Sequence, residues 1–195
     1  MDETLLLFFN HTLANPFLDA IMGWVSHKIW FAAPLLLVIL LLLFQRFGPY
    51  SLVLWSLLLV SIGIGDATGN FLKHQLQKPR PCQMVELNVH TVESPFHHAC
   101  SGSPNGMPSN HALNFFLLAT FLGVLLQSWR WFLVFAVLAS SVGISRIYLG
   151  LHFPTQVLAG AALGVVMGWC LATIVHQIRP IKNLLGSARK NRVKV

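Results

Sequence analysis

The stretch Ser145-Arg146-Ile147-Tyr148-Leu149-Gly150-Leu151-His152-Phe153-Pro154-Thr155-Gln156 stands between two long apolar runs. An arginine at the centre of a bilayer costs roughly 2.5–3.5 kcal/mol on insertion scales, so a permanent cation here needs an anion or a route to water. Gly150 is a helix-stop residue and Pro154 suits the first turn of a following helix. The spacing therefore predicts a corner, with His152 inside it and beside a helix N-terminus. Free N–H groups and partial positive charge at such a corner suit an anion. The same field keeps an imidazole neutral and nucleophilic. Taken alone, these residues also fit a snorkelling arginine and an interfacial histidine at a helix–helix turn.

Outward from that corner the chain is apolar. Of 195 residues, 55% are hydrophobic and 10% charged, and mean hydropathy is +0.65. Soluble domains carry about 25% charged residues, so the composition specifies an integral membrane protein, an all-α helical bundle. A net charge of +7 would suggest nucleic acid in a soluble chain. Here the positions of the charges explain it, and no nucleic-acid partner is expected. Met1-Asp2-Glu3 is acidic where a secretory n-region is basic, which argues against a cleavable signal peptide.

Five stretches are apolar enough to span: 29–47, about 50–72, 111–126, 131–148 and 153–176. A spanning helix needs about 20 such residues. They fall in a transmembrane domain over 29–178. Residues 1–28 are broken by Asn10-His11, and neither half reaches that length. They read as an N-terminal interfacial helical segment, with a tightly packed short sixth helix as the alternative. Gly65 and Gly69, and Gly160, Gly164 and Gly168, mark close helix contacts. Asp66 sits among apolar residues, either as a functional acid or as a paired structural one. Cys170 reads as a packed thiol.

Residues 73–110 form a polar loop with Pro79, Pro81, Pro95, Pro104 and Pro108. A loop of this length in a compact domain is usually functional or disordered. Residues 179–195 form a basic tail with Arg179, Lys182, Arg189, Lys190, Arg192 and Lys194. With that tail in the cytoplasm, five spans put Arg46 and Arg130 on the same side, as the positive-inside rule asks. Lys28, Lys73, Lys78, Arg80 and Arg146 then lie at the outer face, with the 73–110 loop and the His152 corner. An oxidising outer compartment makes a Cys82–Cys100 disulfide possible, and free thiols are the alternative.

Three segments converge on that face: Lys73 to Arg80-Pro81, then Pro108-Ser109-Asn110-His111, then Ser145-Arg146 to His152. They bring three cations, a hydroxyl, two imidazoles and two helix N-termini. There is no HExxH, CxxC, P-loop or GxSxG spacing. The set suits a tetrahedral dianion, held by arginine forks, a lysine and backbone N–H groups.

Those three motifs resemble the type 2 phosphatidic acid phosphatase family, which shares its site with vanadium haloperoxidases. The family pattern is KxxxxxxRP, PSGH and SRxxxxxHxxxD, and the chain matches it in order and spacing. The resemblance implies that His152 attacks phosphorus and becomes a phosphohistidine. His111 would protonate the leaving oxygen and then activate water. Lys73, Arg80, Ser109, Arg146 and the Asn110 N–H would bind the phosphoryl oxygens. No metal and no cofactor are implied.

Two positions depart from the pattern. Asn110 replaces a glycine, and its amide has phosphate or sugar within its expected reach. Gln156 replaces the aspartate that orients the nucleophile; its carbonyl can fix the ring tautomer but cannot stabilise an imidazolium as a carboxylate does. Turnover is therefore expected to be slower than in a Gln156→Asp variant, unless Asp66 or Glu93 helps. His74, His90, His97 and His98 match no motif and read as polar loop residues.

The resemblance implies a lipid phosphatase of a bacterial inner membrane, acting from the outer face on a lipid phosphate that enters sideways from the bilayer. Undecaprenyl diphosphate is favoured, ahead of lipid A 1-phosphate and phosphatidylglycerol phosphate. A non-catalytic or weakly active lipid-phosphate binder is the competing class, and the pair His111 and His152 argues against it. Oligomeric state is left open.

Overall fold

A computed structural model of the chain describes residues 1–92, 100, 104–178, 181 and 183. Glu93, His97, His98 and the tail cations named above lie outside the described residues.

The regular elements among the described residues are helical. They are α1 (Asp2–Leu7), α2 (Pro16–Val25), α3 (Ala33–Phe47), α4 (Ser51–Leu76), α5 (Asn110–Leu125), α6 (Trp129–Tyr148) and α7 (Pro154–Gln177), with short π and 3₁₀ turns between some of them. The stretches long and apolar enough to cross a bilayer are Lys28–Leu76, Trp129–Tyr148 and Pro154–Gln177. The first of these holds two helices, because Gly48 takes φ +58° and Pro49 starts a new turn. The chain folds back there, and Trp55 Nε1 donates to Leu36 O at 3.1 Å across the α3–α4 hairpin. α5 is shorter and apolar.

α5 is the axis of the bundle. Leu113, Leu117 and Phe121 on it are fully buried, while Phe44, Val60, Val137 and Trp169 on the helices around it are exposed, as lipid-facing side chains of a membrane bundle are. In a bilayer lipid is as apolar as leucine, so close packing rather than water exclusion holds such helices together. Two glycine rows provide it. A Cβ on Gly160, Gly164 or Gly168 of α7 would lie 2.4, 2.2 or 2.6 Å from the carbonyl oxygens of Ser109, Leu113 and Leu117. The register advances by four on both helices, so α5 and α7 run parallel and both begin at the same end. On the other side, a Cβ at Gly69 would lie 2.4 Å from Asn110 Oδ1, and one at Gly65 would lie 2.8 Å from Asn114 Oδ1. That register descends on one helix as it rises on the other, so α4 is antiparallel to α5.

Two details differ from the sequence expectation, and a third, left open there, is decided. α4 continues to Leu76, so Lys73 belongs to its last turn rather than to the loop; a cation is favourable at a helix C-terminus. Cys170 is free and exposed rather than packed, because its face of α7 turns away from α5. Cys82 and Cys100 form a disulfide, with Cα atoms 5.7 Å apart. The Cys82 N–H donates to Gly150 O at 3.0 Å, which pins the loop to the α6–α7 corner.

Residues 1–28 pack onto the same end of the bundle. Leu6 and Asn10 are fully buried. Asn10 Nδ2 donates to Tyr148 O at 2.7 Å and to His90 O at 2.9 Å, and Asn10 Oδ1 accepts the His90 N–H at 2.8 Å. One side chain thus joins the N-terminal segment, the loop and the end of α6.

Candidate active site

Helix polarity places the last turns of α4 and α6 and the first turns of α5 and α7 at one end of the bundle. Lys73, Arg80, His111, Arg146 and His152 line a single cavity there, of about 930 Å³. Arg46 and Arg130 sit at the opposite helix ends.

His152 occupies the expected corner and is 1% exposed. Gly150 takes φ +66°, and the N–H groups of Leu151 and His152 both donate back to Arg146 O, at 3.0 and 3.2 Å. That turn puts the imidazole beside the N-terminus of α7. Burial, and after it the charges of Arg146, Arg80 and Lys73, hold its pKa well below the ordinary histidine value.

Gln156 fixes the ring. It lies at the third position of α7, and its Oε1 faces His152 Nδ1 at 3.2 Å and accepts the Phe153 N–H at 3.2 Å. Its Nε2 donates to Pro79 O at 2.8 Å. The Pro79 carbonyl can only accept, so the amide orientation is determined: Oε1 must face the ring. Nδ1 then carries the hydrogen, and Nε2 keeps the lone pair. The same glutamine ties the Arg80 loop to α7. A side chain at Gly106 would meet Gln156 Oε1 at 2.5 Å, so only glycine lets the loop close over this amide.

The cations are held from behind. Lys73 Nζ donates to Pro108 O at 2.8 Å, and Arg146 Nη1 donates to Ser26 Oγ. Arg146 Nε and Ser109 Oγ are buried and make no hydrogen bond to a described residue. Ser109 is the residue before α5, but its hydroxyl does not cap the helix, and its N–H goes to Gln156 O at 3.0 Å. The hydroxyl, not the N–H, is thus the Ser109 donor left without a partner among the described residues. The first-turn N–H groups of Asn110 and His111 have no acceptor within the helix.

The Asn110 amide is not directed at that end of the cavity. Its Nδ2 donates to Asp66 Oδ1 at 3.0 Å and to Asn70 Oδ1 at 2.8 Å. Asp66 is thus a paired acid, held by carboxamides. His90 approaches Asp19, with Nε2 to Oδ2 at 3.5 Å, and His74 is exposed on α4; neither lines the cavity.

Ser26 and Lys28, in the turn after α2, also line this cavity. No motif announces them, because only tertiary packing brings residues 1–28 to this end. Asn70 and Asn114 were missed as well. Their signal was present: Asp66 with Asn70, and Asn110 with Asn114, are polar pairs four apart on apolar helices, so each pair shares one face.

Residues 53–180 match the PAP2 superfamily. A lipid A 4'-phosphatase of Bacteroides thetaiotaomicron is 34% identical over 187 residues, covering 91% of this chain and 78% of that protein. Among solved structures, a transmembrane PAP2 type phosphatidylglycerolphosphate phosphatase from Bacillus subtilis superposes with a TM-score of 0.66 at 24% identity, over 91% of this chain and 85% of that one. Aquifex aeolicus LpxE gives a TM-score of 0.63 at 23% identity, over 87% and 93%. These solved structures share the bundle, and the sequence match runs from α4 through α7. The chain belongs to the PAP2 superfamily, in its branch of membrane lipid phosphatases.

Proposed function

We propose that the protein removes a phosphate from a lipid headgroup through a phosphohistidine on His152. The observation that carries this is the ring itself: buried, tied at Nδ1 to Gln156 Oε1 at 3.2 Å, and lining a cavity with Lys73, Arg80, His111 and Arg146. His152 Nε2 forms a bond to phosphorus as the phosphorus–ester oxygen bond breaks, and His111 gives the leaving oxygen its proton. Water then attacks phosphorus, its proton passes to His111, and the P–N bond breaks to release inorganic phosphate. Lys73, Arg80, Arg146, the Ser109 hydroxyl and the Asn110 N–H meet the charge on the equatorial oxygens. With that charge met by side chains, hydrolysis is independent of added metal. The apolar tail lies along Leu35, Leu36, Ile62 and Leu118, which continue the cavity toward the bilayer. The site faces the outer side of a bacterial inner membrane, with the basic tail in the cytoplasm.

Phosphate release from a lipid monophosphate in detergent, with and without EDTA, tests this. Wild type turns over in both, and His152→Ala does not. Acid-labile label on wild type but not on His152→Ala identifies the intermediate. Equal rates in the two proteins would remove His152 from the chemistry. Binding without release in wild type would favour the non-catalytic binder instead.

The sequence favours undecaprenyl diphosphate. The cavity wall below the phosphate favours a different headgroup.

A further inference from the structure

Asp66, Asn70, Asn110 and Asn114 line the same cavity as His111 and His152. α4 rises 1.5 Å per residue, so Asn70 lies about 4.5 Å and Asp66 about 10 Å below Lys73 along the helix axis. That is where the first atoms beyond the phosphoester must sit. The apolar tail wall begins beyond them, at Ile62 and Leu36.

The hydrogen-bond accounting of this cluster is specific. Asp66 Oδ1 accepts from Asn110 Nδ2 at 3.0 Å and from Asn114 Nδ2 at 3.3 Å, and Oδ2 accepts from Asn70 Nδ2 at 3.1 Å. A carboxylate offers about four acceptor positions, so one remains, on Oδ2. Asn70 and Asn114 each keep one amide hydrogen unused among the described residues. The Oδ1 atoms of Asn110 and Asn114 are turned away, packed against Gly69 and Gly65. The cluster therefore presents one anionic acceptor with N–H donors beside it. A hydroxyl, which donates and accepts, completes that pattern. A second phosphate cannot donate to Oδ2 and meets a like charge there. A prenyl chain offers neither donor nor acceptor.

We infer that Asp66, framed by Asn70, Asn110 and Asn114, selects phosphomonoesters carried on a hydroxyl-bearing headgroup, such as a sugar, over prenyl diphosphates. This rests on the phosphatase reading above. Asp66 and Asn70 act on selectivity and take no part in the bond changes at phosphorus.

The test compares kcat/KM for dodecyl glucoside monophosphate, dodecyl phosphate and farnesyl diphosphate in detergent. Wild type prefers the glucoside phosphate over each of the others by at least about tenfold; a fully desolvated site built for a hydroxyl rejects an analogue lacking it by up to about 10⁴–10⁵. Asp66→Asn keeps the shape and lowers both preference ratios toward one. Asn70→Ala, at an exposed position, lowers them in the same direction and reports even if Asp66→Asn does not fold. A purely structural role would depress all three substrates alike and leave the ratios in place, which overturns the inference. So does a wild type that handles farnesyl diphosphate as well as the glucoside phosphate, although that result leaves the phosphatase reading standing. Release from none of the three by wild type overturns both.

Discussion

Exchanging Gln156 for glutamate alters one side-chain atom and two contacts. The amide is held from both sides: Oε1 faces His152 Nδ1 and the Phe153 N–H, each at 3.2 Å, and Nε2 donates to Pro79 O at 2.8 Å. Glutamate fills the same volume, makes the acceptor anionic and turns the donor into an oxygen. On the proposed mechanism, the gain appears as His152 bonds to phosphorus and its ring becomes cationic. Two unit charges 4 Å apart near a protein surface attract by about 4 kcal/mol at an effective dielectric constant of 20. Desolvation of the new carboxylate offsets much of that. A net of about 1.4 kcal/mol is tenfold in kcat. The loss is at Pro79, whose carbonyl then faces an oxygen. Leaving a buried acceptor unmatched costs about 1–3 kcal/mol, and this falls on stability because it is unrelated to bond making. The expectation is a kcat about tenfold higher with a lower Tm. Gln156→Asp is one C–C bond, about 1.5 Å, shorter, so it gains less than glutamate unless the ring follows it. Gln156→Ala removes the acceptor, frees the tautomer and lowers kcat by at least about 10–100-fold, the loss seen when the partner that orients a metal-bound imidazole is removed. Phosphate release at saturating lipid, with Tm in the same detergent, measures both effects. An alanine variant as fast as wild type, or a folded glutamate variant slower than wild type, would refute the reasoning.

Three further outcomes follow from named contacts. The His152 ring takes up a proton near pH 6.5 when unfolded but not when folded, because burial and then Arg146, Arg80 and Lys73 depress its pKa. The unfolded state then binds more protons, so stability is lost as pH falls below about 6.5, until the folded ring also titrates. Tm should therefore fall more steeply between about pH 8 and about pH 5 in wild type than in His152→Asn, and parallel curves would contradict this. Reducing the Cys82–Cys100 bridge, with its sequence separation of 18, removes about 3 kcal/mol on the loop-entropy estimate. Dithiothreitol should lower the Tm of wild type but not that of Cys82→Ser. Gly164→Ala places a Cβ 2.2 Å from Leu113 O, forcing backbones apart at about 1–3 kcal/mol. Cys170→Ala, on an exposed face of the same helix, should leave Tm unchanged.

The amino-acid sequence by itself determined the membrane class, the helix positions, the glycine contact rows and the three motifs that meet at the cavity. Each is local or periodic: apolar length sets a span, a spacing of four sets a helix face, and Gly150 with Pro154 sets a corner whatever surrounds it. The role open to Gln156 was legible for the same reason, since it stands four positions after His152, in the first turn of the helix that follows the corner. Tertiary structure alone decided what these residues touch. Ser26 reaches Arg146 across 120 positions of sequence, and Asn10 reaches Tyr148 across 138, so no window on the chain contains either pair. Asn110 showed the limit most clearly. Its place in a phosphate motif offered its amide a phosphate or a sugar, and the approach of α4, permitted by Gly65 and Gly69, gave it Asp66 and Asn70. A side chain at a helix start takes the partners that packing brings to it, and packing is a property of the whole bundle.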